Sequence, residues 1–380
     1  MSSFQSKTWA CCLKAACLLA IVLTGCLAAM SQDSEFNEPG NYLIADQFNN
    51  RVIEVDRHGN VVWQFGLGPA DFSPASIVGT NDAQRVGDLT LMAGTGVPPG
   101  QPEAPNCTNP AGCPDNRVLL VDRNGNIVWQ YGTFGVTGSG PNQLNVPVQN
   151  TWLPNFHVLI TDQANERIIE VDPFTQNIVW QYGTTGVSGN GPNQLNNPNC
   201  AELLENGHIL ICDENNNRAF EVKRKFPMGG DIVWQYGSGD PNNNEPVSGV
   251  AFASRLENGH TLITDSNHSR IVEIDKHKTP VWEYFTCHGS GCNLPRGTGP
   301  LPTRAVRLRN GHTLISDQYN HRVIEVNHGK QIVRTFGKLG AIGYNPNNVS
   351  DGGLNSPYDA KRIGDYTGLT PPFGDDDGGR

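Results

Sequence analysis

Three features of the sequence predict an all-β fold, a six-bladed β-propeller of four-stranded antiparallel blades whose ring is closed by the C-terminal strand. First, the stretch His157–Gly183, HVLITDQANERIIEVDPFTQNIVWQYG, holds three short runs rich in β-branched and aromatic residues. The turns between them carry Asn and Pro, as strand-to-strand turns do. Second, the same words recur from Asn41, Asn116, His208, His260 and His312, which aligns the turn arginines Arg51, Arg117, Arg167, Arg218, Arg270 and Arg322. Four of their five spacings are 50–52 residues, and such a period marks an array of like supersecondary units. Third, a further run precedes the later triplets and ends in Asn-Gly, a strong hairpin signal, as in NCAELLENG before His208 and VAFASRLENG before His260. Each period is therefore four strands, A to D, the content of a propeller blade.

The first triplet has no A strand ahead of it. A matching run stands at the far end, where DAKRIGD (Asp359–Asp365) nearly duplicates DAQRVGD (Asp82–Asp88). Pairing that strand with the first triplet closes the ring and removes the exposed sheet edges. The chain divides into a signal segment at 1–25, a tether at 26–40, the propeller at 41–366 and a flexible acidic tail at 367–380. The second period departs from the others. A Pro-rich insertion, Thr95–Pro114, replaces its Asp turn and reads either as a long surface loop or as a recognition element.

Lys7 and Lys14 precede the apolar run Ala15–Leu23, the pattern of an export signal. From Ala15 to Met30 there are 16 largely apolar residues, short of the ~20 that a spanning helix needs. Leu23-Thr24-Gly25-Cys26 closely resembles the lipobox of bacterial lipoprotein signal peptides. That resemblance implies cleavage before Cys26, lipidation there, and a protein anchored by its acyl chains to the bacterial cell envelope, on the outer membrane or the cell surface. The other reading is an ordinary signal peptide with an incidental cysteine. Cys11, Cys12 and Cys17 leave with the signal, and the remaining cysteines form close pairs: Cys107/Cys113, Cys200/Cys212 and Cys287/Cys292. An even number in an exported chain suggests disulfides, and the spacings lack the His partners of a metal site. No metal and no cofactor is expected. The net charge of −10, with no Lys/Arg cluster, argues against nucleic acid or an anionic membrane surface as partner.

The turn motif D-x-x-N-x-R-[IV] resembles NHL repeats, on Asp46/Asn49/Arg51, Asp162/Asn165/Arg167, Asp213/Asn216/Arg218 and Asp317/Asn320/Arg322. His268 holds the Asn position between Asp265 and Arg270. The ending I-x-E-V-D…V-W-Q-[YF]-G is also similar to bacterial arylsulfotransferase-type propellers. These resemblances span about residues 41–365 and imply a fold; propellers host many unrelated activities.

The repeated Asp, Asn and Arg of the turn read as structural, because a catalytic residue is normally unique whereas a ring-wide one maintains the repeat. His157, His208, His260 and His312 begin strand B on four different blades, too far apart for the ~2 Å bonds of one Zn²⁺. Strand A lines the centre of a propeller. Aligning the A strands places Arg85, Arg255, Arg307 and Arg362 at one position, with Trp152 and Leu203 in the remaining blades. Two residues earlier stand alanines, with Asn150 as the exception. Two readings of the arginines compete. Each pairs with a carboxylate ending a nearby B strand (Asp46, Asp265 or Asp317), which is preferred. Or Arg85, Arg255, Arg307, Arg362, Trp152 and Asn150 line the axial channel and bind an anionic group.

The sequence thus points to a non-catalytic binding or assembly module at the envelope, whose partner is an envelope or extracellular protein, a glycan or a small anion. The alternative is a propeller enzyme of arylsulfotransferase-like or NHL-type lyase kind, acting on a small anionic substrate. An enzyme calls for unrepeated polar residues converging at the mouth of the channel. A scaffold calls for broad, loop-borne surface.

Overall fold

A computed structural model describes residues 36–243, 246–287 and 301–365. The signal segment with Cys26, the acidic tail at 367–380 and Cys292 lie outside them. Among the described residues no helix is long and apolar enough to cross a membrane.

Among the described residues twenty-four strands form six four-stranded antiparallel sheets. The inner strands are Thr80–Val86, Pro147–Trp152, Pro198–Leu203, Val250–Arg255, Pro302–Arg307 and Pro357–Arg362. The last of these belongs to the first blade. Tyr42, Leu43 and Ile44 pair antiparallel with Arg362, Lys361 and Ala360, so the last described strand and the first share one sheet. The backbone N–H of Gly40 donates to the Ile363 carbonyl at 2.9 Å, which prolongs the seam. Ring and closure are as the sequence predicts.

The core lies between blades, because each sheet must bury two faces. Leu43, Val52, Trp63 and Phe65 of the first blade pack on Ala83, Met92, Leu119 and Val121 of the second. Leu262, Ile271, Trp282 and Tyr284 of the fifth meet Ala305, Ile315, Ile324 and Val326 of the sixth. Each such aliphatic side chain, fully buried, contributes about 1.5–3 kcal/mol. The tryptophans also tie blade to blade: the indole N–H groups of Trp63, Trp129, Trp180 and Trp282 donate to the carbonyls of Arg123, Pro173, Gly229 and His328, at 2.9–3.1 Å.

One irregularity recurs in every inner strand. The pairing of strands A and B skips one residue near the start of A: Asn81, Val148, Asn199, Ala251, Thr303 and Tyr358 in turn. A β-bulge of this kind leaves its extra residue unpaired and re-aims the side chain.

Candidate active site at the axial mouth

Two sets of residues build one end of the ring. In five blades the aspartate ending strand B is followed by a single 3-10 turn, which closes on a residue with left-handed backbone such as Asn50 (φ 49°) or Asn217 (φ 51°). The Asp is spent on holding that turn. Asp213, for instance, accepts from Asn216 and from Arg218 Nε, each at 2.8 Å. The residue right after the Asp faces an axial cavity of about 510 Å³: Gln47, Gln163, Glu214, Ser266 and Gln318. The bulge residues Asn81, Asn199, Ala251, Thr303 and Tyr358 form a second set lining the same cavity.

The second blade reaches this geometry by another route. Its strand B ends in Gly94, and Asp115, arriving at the end of the insertion, salt-bridges Arg117 Nε at 2.5 Å. A Cβ on Gly94 would lie 2.5 Å from that carboxylate, so the glycine vacates the space the late-arriving Asp occupies. The insertion itself becomes a wall of the mouth through Thr95–Pro99 and Gln101. The Cys107–Cys113 disulfide staples it, and the Asn355 amide donates to the Glu103 carbonyl at 2.7 Å.

Glu214 stands out in the ring of turn residues. Its carboxylate accepts from the amides of Asn197 (3.0 Å) and Asn199 (2.9 Å), and no cation touches it among the described residues. It opens to the cavity but is surrounded by protein. Burial pushes its carboxyl up to about 7, against the two amide hydrogen bonds that favour the anion. Asn199 also donates to Tyr358 Oη at 2.9 Å, and Tyr358 Oη lies 3.1 Å from Asn199 Oδ1. Burial, then the nearby Glu214 charge, holds the Tyr358 phenol well above its ordinary value, so it remains a proton donor. The Cys200–Cys212 disulfide joins the strands that carry Asn199 and Glu214, one residue from Asn199 and two from Glu214.

Beneath the mouth an ion network closes the axis. Lys361 Nζ reaches Asp82 at 2.6 Å and Asp359 at 2.5 Å, while Arg304 lies 2.9 and 2.6 Å from the same carboxylates. Asn150, which the sequence placed in the channel, does lie at the axis, where its backbone N–H donates to Asp82 at 2.9 Å. Burial raises the Asp82 carboxyl, but the charges of Lys361 and Arg304 outweigh it and hold it down at about 2. Asp359 moves upward, because burial there exceeds the pull of Arg304 and Lys361.

The aligned arginines require a correction. They stand four residues past the bulge, about 13 Å along the strand from the mouth. They are paired, but not with Asp46, Asp265 or Asp317, which hold the turn arginines Arg51, Arg270 and Arg322. Arg85, Arg255 and Arg307 instead reach Glu54, Glu221 and Glu273 on the preceding blade, at 2.5, 3.1 and 2.7 Å. Each lies over an aromatic ring there: Trp63, Trp234 and Trp282. Arg362 lies over Tyr42 and contacts Asp365 at 3.5 Å. Trp152 packs into the apolar cluster with Trp129. His208, His260 and His312 join these glutamate seams, with Nδ1 2.6–2.7 Å from Glu221, Glu273 and Glu325; His157 does the same on Glu170. The preferred pairing thus holds in kind, arginine with carboxylate, but with a glutamate of the neighbouring blade, and the channel reading of the four arginines does not. Cys107–Cys113 and Cys200–Cys212 are bonded as paired in the sequence, and Cys287 is disulfide-bonded too.

Sequence reasoning missed Glu214, Tyr358, Asn199 and the Asp82–Lys361–Arg304–Asp359 network. A signal existed: the residue after each turn Asp reads Gln, Gln, Glu, Ser, Gln, and the bulge position is equally irregular, within an otherwise uniform repeat. Among the described residues no three His, Cys, Asp or Glu side chains group to hold a metal ion.

The chain is thus a six-bladed β-propeller with an unrepeated polar pocket at one end of its axis. No family model and no curated protein matches it in sequence. It is similar in fold to a solved protein of unknown function from Bacteroides caccae, with TM-score 0.50 and 13% identity over 78% of this chain and 93% of that one. Virginiamycin B lyase from Staphylococcus aureus is more distant, with TM-score 0.44 and 13% identity over 78% of this chain and 84% of that one. A streptogramin B lyase matches at TM-score 0.42 and 12% identity, over 80% and 76% of the two chains. At these identities the likeness is one of fold. The expectation that the protein is more a binding module than an enzyme is corrected on the pocket itself: unrepeated polar residues converge at the mouth of the channel, the arrangement an enzyme calls for.

Proposed function

We propose that the protein is a propeller enzyme whose active site is the axial mouth, with Glu214 as the group that accepts and returns a proton. The observation that carries this reading is the placement of one carboxyl, titrating near neutrality, in a ring whose other turn residues are amides and a hydroxyl. A base or acid is most effective when its pKa lies near the working pH. Tyr358, protonated and tied to Glu214 through Asn199, is positioned to donate a hydrogen bond to the departing atom, while Glu214 returns the proton it took. Asn197 and Asn199 orient the carboxylate. A reaction that moves one proton off the substrate and one onto a departing atom, as an elimination does, uses both groups.

The test is turnover by the purified protein on esters, lactones and glycosides, compared with Glu214→Gln. Turnover that disappears in Glu214→Gln, with a rate profile turning near pH 7 in the parent, is expected. Turnover that survives the substitution, or a Glu214 carboxyl found by NMR to titrate at the ordinary value, sinks the proposal. On the Leu23–Cys26 motif we also propose that this enzyme works at the bacterial cell envelope, anchored through lipid on Cys26. Radiolabelled palmitate should enter the protein and fail to enter Cys26→Ser.

A further inference from the structure

The cavity lining carries a chemical preference of its own. Its described residues include no Lys, Arg or His. The cations nearest the axis, Lys361 and Arg304, are engaged by Asp82 and Asp359 below it. An anionic substrate, the class the arylsulfotransferase resemblance implied, would therefore lose its hydration without gaining a counter-charge, next to Glu214.

What the mouth offers instead is side-chain amides in a fixed order. Gln318 Nε2 donates to Gln47 Oε1 at 2.7 Å, and Gln47 Nε2 donates to Asn81 Oδ1 at 2.7 Å. These three residues come from the sixth, first and second blades and are buried. The relay uses the donor of Gln318 and the acceptor of Asn81. It leaves the Gln318 Oε1 acceptor at one end and the Asn81 Nδ2 donor at the other, each without a further partner among the described residues. Apolar surface stands beside it, from Phe48, Tyr319 and Pro98.

Hydroxyl groups suit such a relay, since each both donates and accepts and needs no charge to do so. A ring bearing hydroxyls at its edge and C–H groups on its face matches amides at the edge and aromatic or proline surface at the face. The cavity volume, about 510 Å³, lies within the range of small-molecule sites, about 300–1,000 Å³. Its place on the axis, ringed by the blades, suits a compact ligand better than an extended peptide, which seeks a groove or a sheet edge.

We propose that the mouth binds an uncharged carbohydrate, one or two sugar rings of a glycan, through the Gln318–Gln47–Asn81 relay. This rests on the reading of the mouth as the active site and narrows its substrate class. The experiment is calorimetric titration with maltose, cellobiose, lactose and N,N′-diacetylchitobiose, set beside a uronic-acid disaccharide, a sulfated disaccharide and a glucosamine disaccharide. At least one neutral sugar should bind, and its charged counterparts should bind at least about tenfold more weakly. Asn81→Leu, which keeps much of the shape and removes the amide without adding a charge, should weaken that sugar about tenfold or more while circular dichroism shows the parent's fold.

No neutral sugar bound at millimolar concentration, a charged analogue bound as tightly, or a folded Asn81→Leu binding like the parent would each overturn the proposal. The two readings fail separately. Turnover of a non-carbohydrate that Glu214→Gln abolishes leaves the active site standing and removes the sugar. Sugar binding accompanied by turnover insensitive to Glu214→Gln does the reverse.

Discussion

The two ends of the ring are made from the same strands and differ in what they repeat. At one end, a glutamate on strand C holds a histidine of its own blade and an arginine of the next, in blade after blade. At the other, the positions facing the axis change identity from copy to copy: Gln47, Gln163, Glu214, Ser266, Gln318 in one ring and Tyr358, Asn81, Asn199, Ala251, Thr303 in the next. The repeated end answers a need that every blade shares, to bury a charged edge against its neighbour. The unrepeated end answers to something on the axis, which meets each blade from a different side.

The seam contains its own control. The second blade has Leu120 where others have Glu, and the following blade has Trp152 where others have Arg; both members of the pair are exchanged together. The third blade keeps Glu170 although the fourth has Leu203, and there Arg224 from strand C supplies the cation at 2.7 Å. Nowhere among these described seams does the structure leave a buried carboxylate with no cation beside it. That is expected when the cost of stranding one charge exceeds the value of the pair.

Four experiments break or sharpen this contrast. The largest effect belongs to the mouth: Glu214→Gln should reduce turnover about 10²–10⁴-fold, read from kcat, with the fold intact. Next is the axial network, where Lys361→Met leaves the buried carboxylates of Asp82 and Asp359 to share the single cation Arg304 and should cost about 3–5 kcal/mol in a denaturant melt. Because Lys361 also sits in the closing strand, a loss well below that range would mean the network does little to hold the ring shut. Arg307→Leu, at the partly solvated seam, should cost about 2 kcal/mol and leave ligand binding at the mouth unchanged. Altered binding in that variant would erase the separation of the two ends. Smaller still is a rescue: Leu120→Glu and Trp152→Arg should each destabilise alone, with a coupling of about 1 kcal/mol or more when combined.

The pH dependence of stability supplies a fifth check, with a definite sign. The Glu214 carboxyl sits at about 7 in the fold against an ordinary 4.5, so the folded chain binds more protons than the unfolded one between those values. Its contribution to stability is full below pH 4.5 and is lost as pH rises through about 7. Glu214→Gln should flatten that slope, by about 1–3 kcal/mol between pH 5 and 8. Asp82 acts oppositely. Its carboxyl is held low, at about 2, so its contribution is full above pH 3.8 and is lost as the pH falls from there through about 2.

Blade number, strand content and the closing strand are all legible in the sequence, because they follow from period, alternation and the duplication of DAKRIGD and DAQRVGD. The disulfides of the insertion and of the fourth blade are legible too, from cysteines close in sequence or opposite across a hairpin. The site was not. A bulge adds one residue to strand A and shifts the phase of every side chain after it, which a period-two reading cannot detect. Nor can a sequence show that Arg304 of the sixth blade reaches Asp82 of the second across the axis, since ring closure alone brings them within 2.9 Å. The repeat by itself determined which strands form and how many sheets there are. The tertiary structure decided which side chains face the centre, because that depends on where each strand's pairing slips and on what the opposite blades present.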